Sequence, residues 1–322
     1  MRDSMKETTN TKRSTAFYIN GGIGRVICSI PALEKFHKNN PDDDFIIFSE
    51  FAYEAFSGHP TLHPRAYPVN TPHLFRDKLK ERNVVTPEPY TVWEYYNQKC
   101  NISQAFDICI NGSLDTELPK PSIYLSNEEQ VTATSIVNDM RSKRNTPLFV
   151  FQPFGRGITL QAVQSPTGPI DTTGKSFTIE AAAKLIKMIE HKYSILLMNE
   201  FNVDFKQFGC KHDTYFVENV NLRKWFGLIH AADGFIGCDS IGQHITNIFD
   251  KPSYVVLGST FPENVTYPDN KKFTIFDFYK DRRLYSPLRI AVDEYPDRQN
   301  EKAMMLSDKE IEKIANTILT KI

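Results

Sequence analysis

The sequence lacks several patterns that would set it apart from ordinary globular proteins. No window approaches the roughly 18 consecutive apolar residues that a membrane-spanning helix needs, and the polar residues 1–14 lack the apolar stretch of a signal peptide. The five cysteines form no C-x-x-C pair, which argues against a zinc site and against a disulfide framework. These absences predict a cytoplasmic protein without a transmembrane segment.

The balance of charge excludes one further class of protein. The 38 basic and 39 acidic residues nearly cancel, so the chain has no overall positive charge of the kind that nucleic-acid coat proteins carry, although a local basic patch remains compatible with it. With 322 residues, 40% of them hydrophobic, the chain suits two domains of about 150 residues each. Two lobes with a cleft between them are the first expectation.

The first half of the sequence begins with a β-loop-α-β pattern. After the polar tail of residues 1–14, the apolar segment Thr15–Asn20 predicts a strand, and a glycine-rich turn leads into a helix. Further strands are predicted at residues 45–48 and 106–110. Residues 52–104 show weak periodicity and are interpreted as loops that face a substrate. The pattern predicts a parallel sheet with right-handed crossovers.

The second half alternates between strands and helices more regularly. Strands are predicted at residues 148–152, 195–198, 234–237 and 254–257, with intervening helices that start near Thr178 and Leu222. Ser307 and Glu310 form a capping-box signature that opens a last helix at residues 307–321. We therefore predict an α/β protein with two Rossmann-like domains, residues 1–145 and 146–322, whose parallel sheets face a central cleft. The polar segment 138–145 is the predicted linker, and one expectation is that the last helix packs back on the N-terminal domain.

Two segments could hold a ligand at this cleft. The first is the turn of Gly21, Gly22 and Gly24, followed by Arg25, where glycines allow close approach and a helix start offers N–H groups to an anion. Because it lacks the full spacing of a dinucleotide fingerprint, a simple tight turn is the alternative interpretation.

The second segment, Asp239 to His244, comes directly after a predicted strand. Ligands of α/β sheets bind at this edge, and the N–H groups around Ile241 and Gly242 would face a diphosphate with the helix dipole behind them. His244 lies about one turn into the helix and could point back to the same place. The alternative is that Asp239 and Ser240 only cap the helix and that His244 is an ordinary histidine.

Taken together, the blocks at residues 21–48 and 228–264 resemble the ADP-heptose-using heptosyltransferases of glycosyltransferase family 9. The first block of that family reads G-G-x-G-D followed by P-A-L, and Pro31, Ala32 and Leu33 match it. The second block reads D-[ST]-G-x-x-H, which Asp239, Ser240 and His244 match, while Ile241 occupies the glycine position.

The resemblance implies the GT-B architecture and the transfer of a sugar from a nucleotide-diphosphate-sugar donor to an acceptor hydroxyl. It implies an inverting reaction without a metal, in which the nucleotide sugar is a substrate and no cofactor is needed. The acceptor would lie in the first domain and the donor in the second. The residues expected to bind the donor are Gln152, Arg156, Lys175, Glu200, Asp239, Ser240, Ile241, Gly242 and His244.

Arg25 departs from the family pattern at the aspartate that is thought to accept the proton of the attacking hydroxyl. Arginine cannot act as that base. Arg25 is then expected near phosphate groups, and Glu50, at the end of the second predicted strand, is the best candidate for a replacement carboxylate. The alternative for Glu50 is a solvated loop residue.

The run Asp42–Asp44 could be mistaken for the D-x-D metal motif of other glycosyltransferases. It follows Asn39, Asn40 and Pro41 and precedes a strand, so we interpret it as a solvated turn and predict no metal site.

Several functions remain open. The acceptor hydroxyl could belong to a lipopolysaccharide-type glycan, or to a hydroxymethylated DNA base as in phage DNA glycosyltransferases, for which the basic segments 76–82 and 278–289 would be relevant. A non-catalytic nucleotide-sugar-binding homologue and, more distantly, a nucleotide-dependent epimerase are the other possibilities.

Overall fold

The computed structural model describes residues 14–155, 171, 173–283 and 303–321. It contains two sheets in which every strand pair is parallel, as the sequence predicts for an α/β protein. The first sheet has the strand order β3-β2-β1-β4 and the second has the order β10-β9-β8-β5-β6-β7.

The described part of the first half begins with a strand, a helix and three further strands, and ends with three helices. These elements are β1 (Thr15–Ile19), α1 (Ile23–Asn39), β2 (Ile46–Ser49), β3 (Ala66–Pro68), β4 (Asn83–Val85), α2 (Trp93–Tyr96), α3 (Ile102–Asn111) and α4 (Asn127–Ser142). The interval between β2 and α2 is otherwise made of short turns: 3-10 turns at Tyr53–Phe56, His63–Arg65 and Pro89–Thr91 and a π turn at Phe75–Leu79.

In the described part of the second half strands and α-helices alternate, except that β7 follows β6 without an α-helix between them. Its elements are β5 (Leu148–Gln152), α5 (Ile179–Ile189), β6 (Ser194–Leu197), β7 (Tyr215–Phe216), α6 (Leu222–Ala231), β8 (Gly234–Cys238), α7 (Ile241–Ile248), β9 (Ser253–Val256), α8 (Pro262–Val265), β10 (Phe273–Phe276) and α9 (Asp308–Thr320). Two 3-10 turns lie at Phe205–Phe208 and Lys280–Arg282.

Each sheet has a point at which the strand order reverses. In the first sheet the reversal lies between β1 and β4, and in the second it lies between β5 and β8. Neighbouring loops leave in opposite directions at such a point, so a crevice opens outside the carboxyl ends of the two strands, where ligands of open α/β sheets bind. The fold thus provides two crevices, one in each domain.

Helix α1 begins at the first crevice and contributes buried residues to the core of the first domain. It is buried from Arg25 to Leu33, and it runs through Pro31 to Asn39. Proline in a helix interior removes one backbone hydrogen bond, so burial of the apolar face around Ile30 has to stabilise the helix there.

The prediction of a strand at residues 106–110 was wrong, because this segment is the second half of α3. The Asn101 side chain accepts a hydrogen bond from the Gln104 backbone N–H, and the Gln104 side chain accepts one from the Asn101 backbone N–H. This reciprocal pair is a capping box. Ile102, Ala105 and Phe106 are buried with helical spacing. The helix signal therefore starts upstream of the apolar run that suggested a strand.

The predicted linker also has a different structure. Residues 138–142 form the last part of α4, which packs against α6 of the second half: Arg141 pairs with Asp233, and Arg223 pairs with Glu129. A Cβ atom on Gly227 would lie 2.8 Å from the Cβ of Ala133, so the two helices approach closely at the glycine.

The last helix, α9, starts at the predicted capping box of Ser307 and Glu310. It packs on α5 of its own domain, with Ile311, Ile314 and Ile318 buried in the second-domain core. The expectation that it returns to the N-terminal domain therefore differs from the structure, because its apolar stripe is already covered by α5. None of the helices in the described part of the chain is long and apolar enough to cross a membrane.

Candidate active site

The crevice of the second domain lies between Gln152, the last residue of β5, and Asp239, the first residue after β8. The Gln152 side chain connects the two strand ends, because its Oε1 accepts from the Gly242 backbone at 2.8 Å and its Nε2 donates to Ser240 Oγ at 3.0 Å. Ser240 is the N-cap of α7 by position, yet its hydroxyl makes no capping bond. The backbone N–H of Gly242, which was expected to face a diphosphate, thus donates to the side-chain amide oxygen of Gln152.

The glycine at position 242 is required by close contacts. A Cβ atom there would lie 2.3 Å from Cε2 of Phe235 and 2.6 Å from Gln152 Oε1. The neighbouring Ile241, which occupies the glycine position of the family block, is instead partly buried against the core that both halves share. The close backbone approach has therefore moved by one residue relative to the block.

Asp239 and Lys175 form an ion pair in this crevice, with Nζ 2.8 Å from Oδ2. Gln243 Nε2 donates to the other carboxylate oxygen at 2.7 Å. Burial acts most strongly on Asp239 and would raise its pKa, but the charge and hydrogen bond of Lys175, together with smaller contributions from neighbouring groups, hold the pKa below its ordinary value. Asp239 is therefore ionised, and the site contains one buried carboxylate and one partly exposed ammonium group.

Asp171 holds the loop that carries Lys175, a role that the sequence analysis missed. Its carboxylate accepts from the backbone of Thr173 at 2.8 Å, of Lys175 at 3.2 Å and of Ser176 at 2.7 Å. Burial acts to raise the pKa of Asp171, and these hydrogen bonds lower it below the ordinary value. The short-range D-x-x-x-K-S pattern was the available signal in the sequence.

His244 faces the first domain from α7. Its Nδ1 lies 2.7 Å from the Tyr267 hydroxyl and 3.6 Å from Cys28 Sγ on α1. Burial lowers the pKa of His244 to about 4, so the imidazole is neutral at pH 7. A Cβ on Gly24 would lie 3.3 Å from His244 Cδ2, which shows that the glycine turn of one domain touches the helix start of the other.

The crevice of the first domain is occupied by Arg25. Its guanidinium donates to Glu88 Oε1 at 2.9 Å, to Asn20 Oδ1 at 2.6 Å and to the Pro87 carbonyl at 3.2 Å. Asn20 follows β1, while Pro87 and Glu88 follow β4, so Arg25 joins the two strands at the reversal point. The ring of Tyr90 lies 4.9 Å from its Cζ atom.

Arg25 is therefore bound within its own domain, which differs from the expectation that it faces phosphate groups. Its side chain is 9% exposed, whereas that of Glu88 is 37% exposed. Gly21 adopts φ +79°, and a Cβ there would lie 2.8 Å from Arg25 Cδ, so the turn fits closely around this side chain. Gly22 is the N-cap of α1, and its carbonyl accepts from the Arg25 backbone.

The remaining candidates lie apart from these two clusters. Glu50 follows β2 and Glu200 lies beyond β6; both are exposed, and the described residues give neither side chain a hydrogen bond or an ion pair. Arg156 lies outside the described residues. The structure thus brings Gln152, Lys175, Asp239, Ser240 and Gly242 together, while their contact with a donor remains a prediction.

The turn at Asp42–Asp44 is only partly solvated. Asp43 is buried and accepts from the Thr15 backbone at 3.1 Å and from its hydroxyl at 3.0 Å, so it fixes the start of β1. Within the ranges that the structure describes, no group of three or more His, Cys, Asp or Glu side chains is arranged to hold a metal ion.

Known structures share the fold of this protein over nearly the whole chain. A family 9 glycosyltransferase from Veillonella parvula DSM 2008 aligns with a TM-score of 0.62 and 12% identity, covering 97% of this chain and 98% of its own. The ADP-heptose lipopolysaccharide heptosyltransferase II of E. coli aligns with a TM-score of 0.58 and 12% identity, covering 95% and 98%. The chain has the GT-B fold of these glycosyltransferases.

A third similar structure is TibC of enterotoxigenic E. coli H10407, an iron-containing, dodecameric heptosyltransferase seen in complex with ADP-D-beta-D-heptose. That complex aligns with a TM-score of 0.53 and 11% identity, covering 95% of this chain and 76% of its own. No protein-family model and no curated protein matches the sequence. The structural comparisons confirm the predicted resemblance at the level of the fold.

Proposed function

We propose that the protein is a glycosyltransferase that moves a sugar from a nucleotide-diphosphate-sugar donor to an acceptor hydroxyl. The observation that carries this proposal is the Lys175–Asp239 pair at the start of α7, in the strand-reversal crevice of a GT-B fold. A positively charged side chain such as Lys175, next to a helix N-terminus, is suited to bind the diphosphate, which becomes more negative as the sugar leaves. Lys175 would therefore bind more strongly to the transition state than to the bound donor.

The same residues support a reaction that does not need a metal. The positive charge opposite the leaving diphosphate would come from the partly exposed Lys175 ammonium and from the N-terminal end of the α7 dipole. We propose a single direct attack by the acceptor, which inverts the configuration of the anomeric carbon. The contact between Gly24 and His244, where the two crevices meet, supports direct attack because it brings the acceptor side next to the donor side.

We propose a glycan acceptor of the lipopolysaccharide type, bound by the first domain. Support comes from the fold shared with the E. coli ADP-heptose heptosyltransferase II, which is named as a lipopolysaccharide enzyme. Phe51 and Tyr53 follow β2 and have partly exposed aromatic side chains. Because β1 and β2 are parallel, these residues lie at the same carboxyl edge of the sheet as the end of β1. Aromatic faces can pack against sugar rings.

One observation favours a hydroxyl on a modified DNA base as the second candidate acceptor. The π turn exposes Phe75, which is 71% exposed, beside Arg76 and close to Lys80. Aromatic and basic side chains together suit single-stranded or flipped bases. Binding of DNA to the purified protein that weakens steeply with salt would support this acceptor, and salt-independent or absent binding would exclude it.

The donor site can be tested with a double variant that removes the buried pair without leaving one charge alone. Lys175→Met with Asp239→Asn should weaken binding of the preferred nucleotide sugar, chosen from a panel that includes ADP-heptose and UDP-glucose, by about 10- to 100-fold in calorimetry. The matched control is Lys184→Met with Asp308→Asn, which removes an exposed Lys–Asp pair of the same domain.

The control variant should bind the donor like the unaltered protein. Failure of the unaltered protein to bind any nucleotide sugar would refute the proposed function. Donor binding without turnover on any acceptor would instead indicate a non-catalytic homologue.

A further inference from the structure

We propose that Glu88 is the carboxylate that accepts the proton of the attacking acceptor hydroxyl, and that Arg25 is the residue that positions it. This inference rests on the proposed sugar transfer. It assigns a role to a residue that no sequence motif singles out, and it explains why a buried arginine lies in the crevice of the first domain.

The position of Glu88 fits this role. It lies three residues after β4, at the reversal point of the first sheet, where a ligand of the first domain would bind. Its side chain is 37% exposed, so a carboxylate oxygen can be approached from solvent. Glu88 thus combines access with a place at the edge of the sheet that faces the second domain.

The contacts of Glu88 hold its carboxylate in one orientation. Arg25 Nη1 lies 2.9 Å from Oε1 and Nη2 lies 3.3 Å from Oε2, which is a bidentate arrangement. The Tyr90 backbone N–H also donates to Oε1, at 3.3 Å. A carboxylate fixed at both oxygens loses little further freedom when a substrate hydroxyl approaches one of its remaining lone pairs.

Arg25 is placed to serve Glu88 and not a ligand. The rings of Tyr90 and Phe106 lie 4.9 and 5.7 Å from its Cζ atom, and Asn20 and the Pro87 carbonyl accept from Nη2. Burying an arginine is unfavourable unless it is paired, and the acidic partner that it has here is Glu88. The Glu88 carboxylate is therefore oriented by the guanidinium of Arg25, which is almost fully buried.

The two crevices are close enough for one reaction. Arg25 follows Gly24, whose Cβ position is 3.3 Å from His244 Cδ2, and His244 lies five residues after Asp239 in the donor crevice. An acceptor bound at Glu88 and a donor bound at Lys175 would therefore meet across this contact. His244 is neutral and adds no competing charge there.

The reaction balances with these groups. The acceptor oxygen forms a bond to the anomeric carbon while the bond from that carbon to the diphosphate oxygen breaks. The electron pair of the broken bond leaves with the nucleoside diphosphate beside Lys175. The acceptor proton moves to Glu88 and passes from there to solvent, which its exposure permits.

Glu50, the carboxylate that the sequence analysis favoured, fits the role less well. It follows β2, which lies beyond β1 and away from the reversal point between β1 and β4. Within the described chain no side chain orients its carboxylate, whereas Glu88 is held at both oxygens. Glu50 is therefore the rival carboxylate with which Glu88 has to be compared.

The test measures nucleoside diphosphate release from the nucleotide sugar that the unaltered protein turns over fastest, in a panel that includes ADP-heptose and UDP-glucose, with water or lipopolysaccharide core glycan as acceptor. Glu88→Gln should lower kcat at least 100-fold and leave the calorimetric Kd for the donor within threefold. Glu50→Gln, the change at the rival carboxylate, should lower kcat less than threefold. Glu117→Gln, a change at an exposed carboxylate after α3, is the matched control and should leave both unchanged.

Two further variants keep the result interpretable if Glu88→Gln folds poorly, which thermal melting reports. Glu88→Asp keeps the charge pair at a shifted distance and should retain a few per cent of kcat. Arg25→Lys keeps the positive charge but not the bidentate contact, so it should lower kcat about tenfold at unchanged donor Kd.

The outcomes separate the two proposals. Donor binding and turnover that survive Glu88→Gln within threefold would overturn the role of Glu88 and leave the proposed function intact. A loss of donor affinity equal to the loss of kcat would also overturn it, because a base acts only on the chemical step. An unaltered protein that binds no nucleotide sugar would overturn both proposals.

Discussion

The crevices of the two domains use the same topology and opposite charge arrangements. In the second domain a buried carboxylate, Asp239, holds a partly exposed ammonium, Lys175. In the first domain a buried guanidinium, Arg25, holds a partly exposed carboxylate, Glu88. The buried member of each pair orients the accessible one, so one crevice presents positive charge to a ligand and the other presents negative charge. This asymmetry suits the proposed transfer of a sugar from a diphosphate to a hydroxyl, in which one group gains negative charge and the other loses a proton.

The largest expected effect on stability concerns His244, which lies where the two crevices meet, and it should appear when the pH is lowered. The pKa of His244 is about 4 in the folded chain and ordinarily 6.5, so below pH 6.5 the unfolded chain takes up a proton that the folded chain does not. The stability contributed by the neutral imidazole is complete above pH 6.5 and is lost as the pH falls towards 4. The loss amounts to about 3 kcal/mol.

This expectation is checked by urea unfolding of the unaltered protein and of His244→Gln at pH 7 and pH 5. The difference in unfolding free energy between the two proteins should shrink or change sign at the lower pH. His73→Gln, a change at an exposed histidine, serves as the control and should follow the unaltered protein. A pH dependence that is the same in all three proteins would contradict the buried, neutral state of His244.

A change at Gly242 should disturb the crevice of the second domain and leave the crevice of the first domain unchanged. Gly242→Ala places a Cβ 2.3 Å from Phe235 and 2.6 Å from Gln152, so it should destabilise the fold by about 1–3 kcal/mol and weaken donor binding. Gly155→Ala is the matched change, because its Cβ would make only ordinary contacts of 3.7 Å or more. Thermal melting and donor calorimetry on both variants would test this, and equal behaviour would argue against the close approach at α7.

The extent of sequence prediction also differs between the two domains. In the second domain the strand before Asp239, the helix after it and the helix that starts near Thr178 are local patterns, and the sequence predicts all of them. In the first domain β3 and β4 are three residues long and leave little periodicity to detect. The sequence therefore could not show that Glu88 comes to the end of β1.

The contacts within the sites were less predictable than the elements. Arg25 and Glu88 are 63 residues apart, and Gln152 and Gly242 are 90 residues apart, so only the folded topology joins them. A family motif identifies one member of such a pair and leaves its partner open. This is why the sequence does not connect Arg25 with Glu88. Asp171 is different, because it contacts the backbone of Lys175 only four residues away and its local pattern could have been recognised.

The smallest expected effect concerns Glu200, which tests how far the donor crevice extends. If this exposed carboxylate accepts a hydrogen bond from a ribose hydroxyl, Glu200→Gln should weaken donor binding by about tenfold, since one charge-assisted bond contributes about 1.5 kcal/mol. Stability should not change, because the described residues give Glu200 no partner. Calorimetry with the preferred nucleotide sugar measures the effect, and an unchanged Kd would limit the crevice to the residues around Lys175 and Asp239.

The most direct test of the division between the two crevices is a crystal structure of the protein with a bound nucleoside diphosphate. The account predicts that the diphosphate lies beside Lys175 and the start of α7, next to Gln152 and Asp239. Arg25 should remain bound to Glu88 in the same crystal. A diphosphate bound instead to Arg25, with the Arg25–Glu88 pair broken, would contradict the account.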